Sequence, residues 1–538
     1  MDFSISQIPY DPIALAKRDR AFLDSDKSLF SLLPFPDNMD GLRKKIADRN
    51  RYPFFRKELH LALQEQYATL PDREKTEPQI LAILQENTFT VTTAHQPSLF
   101  TGPLYLIYKA ASCIHLARRM QQALPEKHFV PVFVLGAEDH DFDEINHLHI
   151  YNQTISWQQK SGGPTGKMPT KGLDTLIDRI EELLPHSLPA EDIIRALRQA
   201  FTTNLSFADA TQRFIHHLFG RYGMLVLQMD SPRLKRLAIP IFRKEIIERP
   251  SFVLVNQSLA KLKKLGFKPQ AKPRKLNLFY MTADWRKRIV LEDGVFHVLD
   301  TGIRWTQPEI LQKLEQSPQS FSPNVILRPL YQELILPNIA YIGGGGELAY
   351  WQERPLQFQE FDISFPVLIR RNSVLWLSPY IQKLMSKARL TTGDLFEQPK
   401  NLVVAQDEQI DLSTERELAD LDAIFDSLAQ KAEKIDPALI PSLLAEKAKQ
   451  RKTIKQIESK LSKAHQQKNQ SQIRKIQKIQ SIINPNNGLQ ERYENFLPIY
   501  AIHGHDFLDF LVQQLNPLQK TFLVISSNPS QTLDKPHS

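Results

Sequence analysis

Residues 88–136, "TFTVTTAHQPSLFTGPLYLIYKAASCIHLARRMQQALPEKHFVPVFVLG", restrict the fold more than any other part of this 538-residue chain. "FTVTT" is β-branched and aromatic, "LYLIYKAASCIHLARRMQQAL" repeats apolar side chains at helical spacing, and "FVPVFVLG" is a nearly unbroken apolar run ending at Gly136. The reading is strand, crossover helix, strand. Parallel strands need such a crossover, and a second strand that does not alternate is one buried on both faces. The chain must therefore supply helices for both sides of a parallel sheet.

Ligands of open parallel sheets bind beyond the carboxyl ends of the strands. His95, Gln96, Thr101 and Gly102 fall there, with Pro103 at the bend and Tyr105, Tyr108 and Lys109 on the helix face that looks back at the loop. The competing reading is a loop tied down by its own hydrogen bonds. A second constellation, "GAEDHDFDEINHLHIYN", follows the next strand directly, and six of the seven residues from Glu138 to Glu144 are acidic or His. Carboxylates and imidazoles suit a divalent metal, an amine or sugar hydroxyls alike, and a solvated acidic turn is the plain alternative. No recognised zinc spacing is present. The third constellation is "YIGGGGELAYW", four glycines before a helix start, which offers backbone N–H groups to an anion or simply a tight crossing. It lacks the glycine at Leu348 that a dinucleotide fingerprint needs.

A chain of this length calls for two or three structural units. Residues 10–85 read as helices. The interval 155–300, with the loop "KSGGPTGKMPTKG", the strand "GMLVLQM" and a hairpin at "EDG", reads as an insertion. Residues 322–353 return to α/β texture, and "FPVLIRRNSVLWLS" reads as one further strand. From about 410 glycine almost vanishes until Gly488, and Ile454, Ile457, Leu461, Ile473, Ile476, Ile479 and Ile483 form the seam of a helical hairpin or coiled coil, with "HQQKNQS" as the turn between its arms. The expected divisions are 1–154, N-terminal helices and the first half of the core; 155–300, the insertion; 301–409, the second half; 410–487, the helical arm; and 488–538, a segment packing back on the core with a loose tail, "SSNPSQTLDKPHS".

No secretory signal and no apolar run long enough for a membrane helix is present, so a cytoplasmic protein without membrane contact is expected. The single cysteine, Cys113, lies in an amphipathic helix and reads as a packing residue. The formal charge is +8, yet Glu446–Lys478 alone carries eleven Lys or Arg against two Glu. A synthetase-like binder of RNA or nucleotide using this basic arm is the alternative function; the absence of interleaved aromatics speaks against nucleic acid.

The segments "SLFTGPLYLIYKA", "AEDHDFDEINH" and "YIGGGGELAYW", in this order, with the ending "NNGLQERYENFLPIYAIHG", resemble the BshC family, the cysteine ligases of bacillithiol biosynthesis. The resemblance runs from about Val91 to Phe510. It implies an α/β fold: a Rossmann-like parallel-sheet core related to class I aminoacyl-tRNA synthetases, with connecting-peptide insertions and an appended α-helical coiled coil. The implied reaction joins the carboxyl group of L-cysteine to the amine of glucosaminyl malate, in a homodimer formed through the helical arm. The synthetase signature of the type G-P-L-H-x-G-H falls on Gly102 to Tyr108, but Tyr105 and Tyr108 replace its histidines and Ile107 its second glycine. ATP or another nucleotide therefore stays open as cofactor, and no metal is assigned.

On this reading His140, Asp139 and His95 are the catalytic candidates, with His140 as general base for the amine. Gln96, Thr101, Gly102, Tyr105, Tyr108 and Lys109, together with Gly343, Gly344, Gly345, Gly346, Glu347 and Tyr350, are expected to hold the anionic groups. Glu138 and Asp141, with Asn146 beside them, are expected to hold the cysteine ammonium and the sugar hydroxyls.

Overall fold

The computed structural model describes residues 3–159, 163–201, 204–406 and 412–527. The tail beyond 527, the opening of the glycine-rich loop at 160–162 and the 409–410 division lie outside the described residues. The chain divides into two compact units, Met1–Trp376 with Gly488–Ser538, and Leu377–Asn487.

The first unit is built on five parallel strands, β1 (Thr88–His95), β2 (His128–Leu135), β3 (Leu225–Gln228), β4 (Asn338–Gly343) and β5 (Val367–Arg370), lying side by side in the order 5-4-1-2-3. Helix α1 (Tyr105–Ala123) makes the crossover from β1 to β2. Alternate strand residues feed two cores, Phe89, Val91 and Phe133 on one face, Ala94, Val130, Val132 and Val134 on the other, which is why "FVPVFVLG" shows no polar alternation. The buried threonines of β1 are accommodated because their hydroxyls donate to β4 carbonyls, Thr92 to Ala340 at 3.2 Å and Thr93 to Ile342 at 2.9 Å. Cys113 is fully buried, and its thiol, 3.1 Å from the Val91 carbonyl, is pushed up by burial.

The chain moves outward from β1 through β2 to β3, then returns to the opposite side of β1 with β4. The reversal makes the β1–β4 boundary the sheet's switch point, the place where a crevice opens at the carboxyl ends. The strand "GMLVLQM", inside the 155–300 interval, is β3, an edge of this sheet. Beyond it a five-stranded antiparallel sheet runs through Leu278–Met281, Arg286–Glu292, Val295–Val298, Arg304–Trp305 and Phe321–Pro323. Its "EDG" hairpin is as expected: Glu292 faces Val295, and Asp293 and Gly294 both take positive φ, 48° and 79°, the type I′ combination.

Four further helices matter below: α2 (Leu188–Ala200), α3 (Phe207–Phe219), α4 (Arg328–Ile335) and α5 (Gly345–Trp351). "FPVLIRRNSVLWLS" is two strands rather than one. Arg370 and Arg371 are drawn inward to Asp19 and Glu491, which ends β5. Val374–Leu377 then joins a separate sheet with Phe522–Ser527 and Phe3–Ile8.

In the second unit α6 (Glu415–Ile435) and α7 (Ile440–Ile483) form a helical hairpin, but with other arms than expected, since the whole seam Ile454–Ile483 lies in α7. Its turn is not at "HQQKNQS", which lies inside α7. Gln and Lys are good helix formers and polarity alone breaks no helix; the turn falls at "DPAL", where Asp436 caps the Ala438 N–H at 2.9 Å and Pro437 and Pro441 interrupt the ladder. The basic α7 faces an acidic α6, with Lys447 2.7 Å from Asp426 and Arg451 paired to Asp422. α6 carries six acidic residues against three basic ones, so it offsets about a third of the excess of nine positive charges on Glu446–Lys478. Helices α8 (Leu497–His503) and α9 (His505–Gln514) bring the chain back to the first unit, where α9 packs on α1. No helix among the described residues is long and apolar enough to cross a membrane.

Candidate functional site

The carboxyl rim of the parallel sheet gathers all three constellations. β1 ends at His95, and the chain then passes through three residues of positive φ, Phe100 (44°), Thr101 (72°) and Gly102 (62°). Such a conformation costs on the order of 1–3 kcal/mol at each non-glycine position and persists only where surroundings impose it. Here Asn495 imposes it, its amide donating to the carbonyls of Gly102 at 2.6 Å and Phe100 at 3.2 Å, while the Leu104 N–H donates to the Glu494 carbonyl at 2.8 Å. The turn aims the first residue of α1 back at the strand end, and Tyr105 Oη stands 2.8 Å from His95 Nε2.

His95 Nδ1 lies 2.8 Å from the Gln96 carbonyl, which can only accept, so the ring proton sits on Nδ1 and Nε2 accepts from Tyr105. Burial first, and the Lys109 charge second, push the imidazole down to about 4, so it is neutral at pH 7. A histidine depressed below its unfolded value contributes stability above about pH 6.5 that is lost as pH falls through about 4. The His95→Gln protein should therefore lose less denaturant resistance than the parent between pH 6.5 and 4, by at most about 3 kcal/mol, readable from urea midpoints across that range.

Lys109 is fully buried. Its ammonium donates to the Ala94 carbonyl and meets Glu347 Oε1 at 2.9 Å. Glu347 also accepts from Tyr341 Oη at 3.0 Å and from the Gly344 N–H at 3.0 Å. Burial raises its carboxyl, but Lys109 and the Gly344 N–H outweigh that and hold it below the usual range. None of the four glycines takes positive φ. Gly345 is required for space, because a Cβ there would lie 2.2 Å from the Asp19 carboxyl carbon, and Asp19 is bound bidentately by Arg370 with both contacts at 3.0 Å. The turn does not fit a nucleotide phosphate: Glu347 takes its cap N–H, and a second carboxylate lies against Gly345. Besides Lys109 and Arg370, this end holds the cations Arg371, 2.7 Å from Glu491, and Arg328, which donates to Tyr350 Oη at 2.5 Å. Among the described residues Arg328 has no carboxylate at ion-pair distance.

The other end of the rim lies beyond β2 and β3. Glu138 pairs with the fully buried Lys235 and accepts from Ser322 Oγ at 2.7 Å. Asp230, just past β3, stands 3.2 Å from Lys167, and burial first and Glu138 second raise its carboxyl to about 6. Arg286, from the antiparallel sheet, donates to Ser322 Oγ at 2.9 Å and to His140 Nδ1 at 3.1 Å, and lies 3.9 Å from the Phe279 ring centre. A guanidinium has no lone pair, so His140 Nδ1 must accept and its proton sits on Nε2. Burial raises Asp139, but His140, whose backbone N–H donates to Oδ1 at 2.7 Å, and the Arg286 charge outweigh it and hold it well below the carboxylate range.

A sequence model of bacillithiol biosynthesis BshC, N-terminal Rossmann-like domain, matches residues 16–372, and one of the BshC C-terminal coiled-coil domain matches 374–527. The chain belongs to the BshC family. A relative from Flavobacterium psychrophilum is 36% identical over 512 residues, covering 94% of this chain and 96% of its own. One from Christiangramia forsetii is 36% identical over 491 residues, 90% of each chain, and one from Bacillus cereus 29% identical over 513 residues, 91% and 94%. All three carry the name "Putative cysteine ligase BshC" rather than a nucleic-acid-binding one.

In this BshC family member the expected residues divide by position. His95, Tyr105, Lys109, Glu347 and Tyr350 meet at the β1–β4 switch point, and Glu138, Asp139 and His140 meet beyond β2. The two groups adjoin, since the Gly136 N–H donates to the His95 carbonyl at 2.8 Å and Gln96 reaches Glu144 at 3.3 Å. Tyr108 and Thr101 are wholly buried with hydroxyls that make no hydrogen bond, so they are core. Asp141 is exposed, and Asn146 turns to His147 at 3.0 Å. Sequence reasoning missed Arg328, Arg286, Ser322, Asp230, Lys235 and Lys167. Only Asp230 carried a signal, as the first polar residue after an apolar strand.

Proposed function

We propose that this chain joins the carboxyl group of L-cysteine to the amine of glucosaminyl malate, the step that forms bacillithiol. The observation carrying the reading is the polarity of the rim. At the switch point a cation, Arg328, has no carboxylate at ion-pair distance among the described residues and feels Glu347 only from farther off, and beyond β2 and β3 carboxylates gather around a pair of lysines. A carboxylate-bearing substrate suits the first end and an ammonium the second. In the reaction the ammonium loses one proton, the free amine nitrogen attacks a cysteine carboxyl carbon activated as a phosphoryl-type ester, a C–N bond forms, the C–O bond to the activating group breaks so that this group leaves with its oxygen, and the nitrogen sheds a second proton.

Asp230, held near 6, suits the acceptance of a proton from an ammonium at neutral pH. His140 presents Nε2–H rather than a lone pair, so it serves as a donor to substrate oxygen, and Asp139 positions it. His95, neutral and tied to Tyr105, shapes the switch point without adding charge. The decisive experiment is expression of the chain in a bacterium deleted for its own BshC gene, with thiols profiled by mass spectrometry. Bacillithiol should return and glucosaminyl malate should fall; unchanged profiles with soluble protein present would end the reading.

The arm supports a homodimer. Ile457 and Leu461 on α7 are 48% and 47% exposed, and Ile424 and Leu428 on α6 are 58% and 40% exposed. An apolar seam left open on a helical hairpin is what a second hairpin covers. Light scattering after size exclusion should give twice the chain mass, and the Ile457→Lys/Leu461→Lys double variant should give the monomer.

A further inference from the structure

We propose that Asp192, His217 and His505 form a site for a divalent cation of the zinc class, pinning α9 to α2 and α3. The three come from three helices, and none contacts a residue of the rim. Asp192 lies in α2, His217 near the end of α3, and His505 opens α9. Gly504, with φ 59° and ψ −143°, makes the corner between α8 and α9 that delivers His505, and Ser187 fastens the start of α2 to the Ala501 carbonyl of α8 at 2.5 Å.

One ligand atom from each residue lies within 4.8 Å of the other two, and His217 Nε2 is 4.0 Å from Asp192 Oδ2. Tetrahedral zinc with bonds of about 2.0–2.1 Å places its ligands roughly 3.4 Å apart, so side-chain rotations of less than about 1 Å close the set. Two imidazoles and one carboxylate suit zinc and its neighbours over magnesium or calcium, which prefer all-oxygen sites.

A second observation points to a ligand. His217 Nε2 and His505 Nδ1 are buried and make no hydrogen bond, an arrangement that costs free energy unless something occupies the lone pair or takes the proton. The surroundings also supply an outer partner. Tyr500 Oη donates to Asp192 Oδ2 at 3.1 Å, and its ring packs edge-on against His505 with centres 5.5 Å apart. Of the nearby cations, Lys75 pairs with Asp72 at 2.7 Å and Arg221 lies 5.5 Å from the Tyr222 ring centre, while Arg195 holds Asp192 itself, at Oδ1 and 3.3 Å, on the oxygen other than the one that faces His217.

The test uses the full chain without a histidine tag, stripped with chelator and titrated with zinc alone. One equivalent should bind and raise the melting temperature by a few degrees, and cobalt in its place should give a visible absorption band. Asp192→Asn and His217→Gln, checked for native circular dichroism, should each lose the equivalent and the shift, Tyr500→Phe should weaken binding about 10- to 100-fold, and His465→Gln in the other unit should change nothing. Failure of zinc to bind, or binding that survives both ligand substitutions, would overturn the site.

Discussion

Lys109→Met is expected to lower the unfolding free energy by about 3–5 kcal/mol, measured as a shift of the urea midpoint at pH 7. The size follows from burial rather than from the worth of the ion pair. Lys109 is fully buried, and its ammonium holds together the end of β1, through the Ala94 carbonyl, and the cap of α5, through Glu347. Methionine fills nearly the same volume, so little cavity forms. What remains is a Glu347 carboxylate with one hydroxyl and one N–H but no cation at ion-pair distance, only the more distant Arg328 charge, at a position only 26% exposed. Replacing both partners, Lys109→Met with Glu347→Gln, should recover much of the loss, because the stranded charge is then gone. A double variant as unstable as the single one would mean that the packing of the lysine stem, and not its charge, sets the cost.

How much of this was readable from residues depends on the distance over which each was specified. The β1–α1–β2 unit is written locally: two apolar runs, a helical repeat and a glycine at the bend determine each other within fifty or so residues. The "EDG" turn is equally local, since only a pair tolerant of positive φ closes that hairpin. Arg286 is different. In "RKRIVLE" it is one of several cations in an alternating strand and reads as an exposed residue, yet it is 7% exposed and faces Ser322 and His140. Nothing in its neighbours says so, because the partners lie on other strands. Arg328 and Asp230 are hidden for the same reason, and so is the Arg371–Glu491 pair that fastens the returning segment 488–527 to the end of β5. The hairpin turn in the second unit was misplaced by reading polarity as a break, when proline and a capping aspartate about thirty residues earlier do the breaking. The tetraglycine run was legible as a constraint but not as to kind: space beside Asp19, rather than unusual φ, is what Gly345 satisfies.

Arg328→Met is expected to reduce kcat/KM for bacillithiol formation by about 10²- to 10³-fold while moving the melting temperature by no more than about 3 °C. Six other cations of the rim have a carboxylate: Lys109 has Glu347, Arg371 has Glu491, Arg370 has Asp19, Lys235 has Glu138, Lys167 has Asp230 and Arg286 has Asp139 at 3.9 Å. Those pairs hold the crevice together, and breaking them costs stability first. Arg328 instead donates to Tyr350 and, at 3.4 Å, to the Gln332 side chain, both neutral. Its charge is available for an anion brought by the substrate, and for the oxygen that becomes more negative as the amine attacks. Arg328→Lys separates the two contributions, since lysine keeps the charge but not the planar fork, and its activity should fall between parent and Met variant. A Met variant with parental kcat/KM would move the anion site away from the switch point, whereas one that loses activity only together with its fold would place Arg328 among the structural cations.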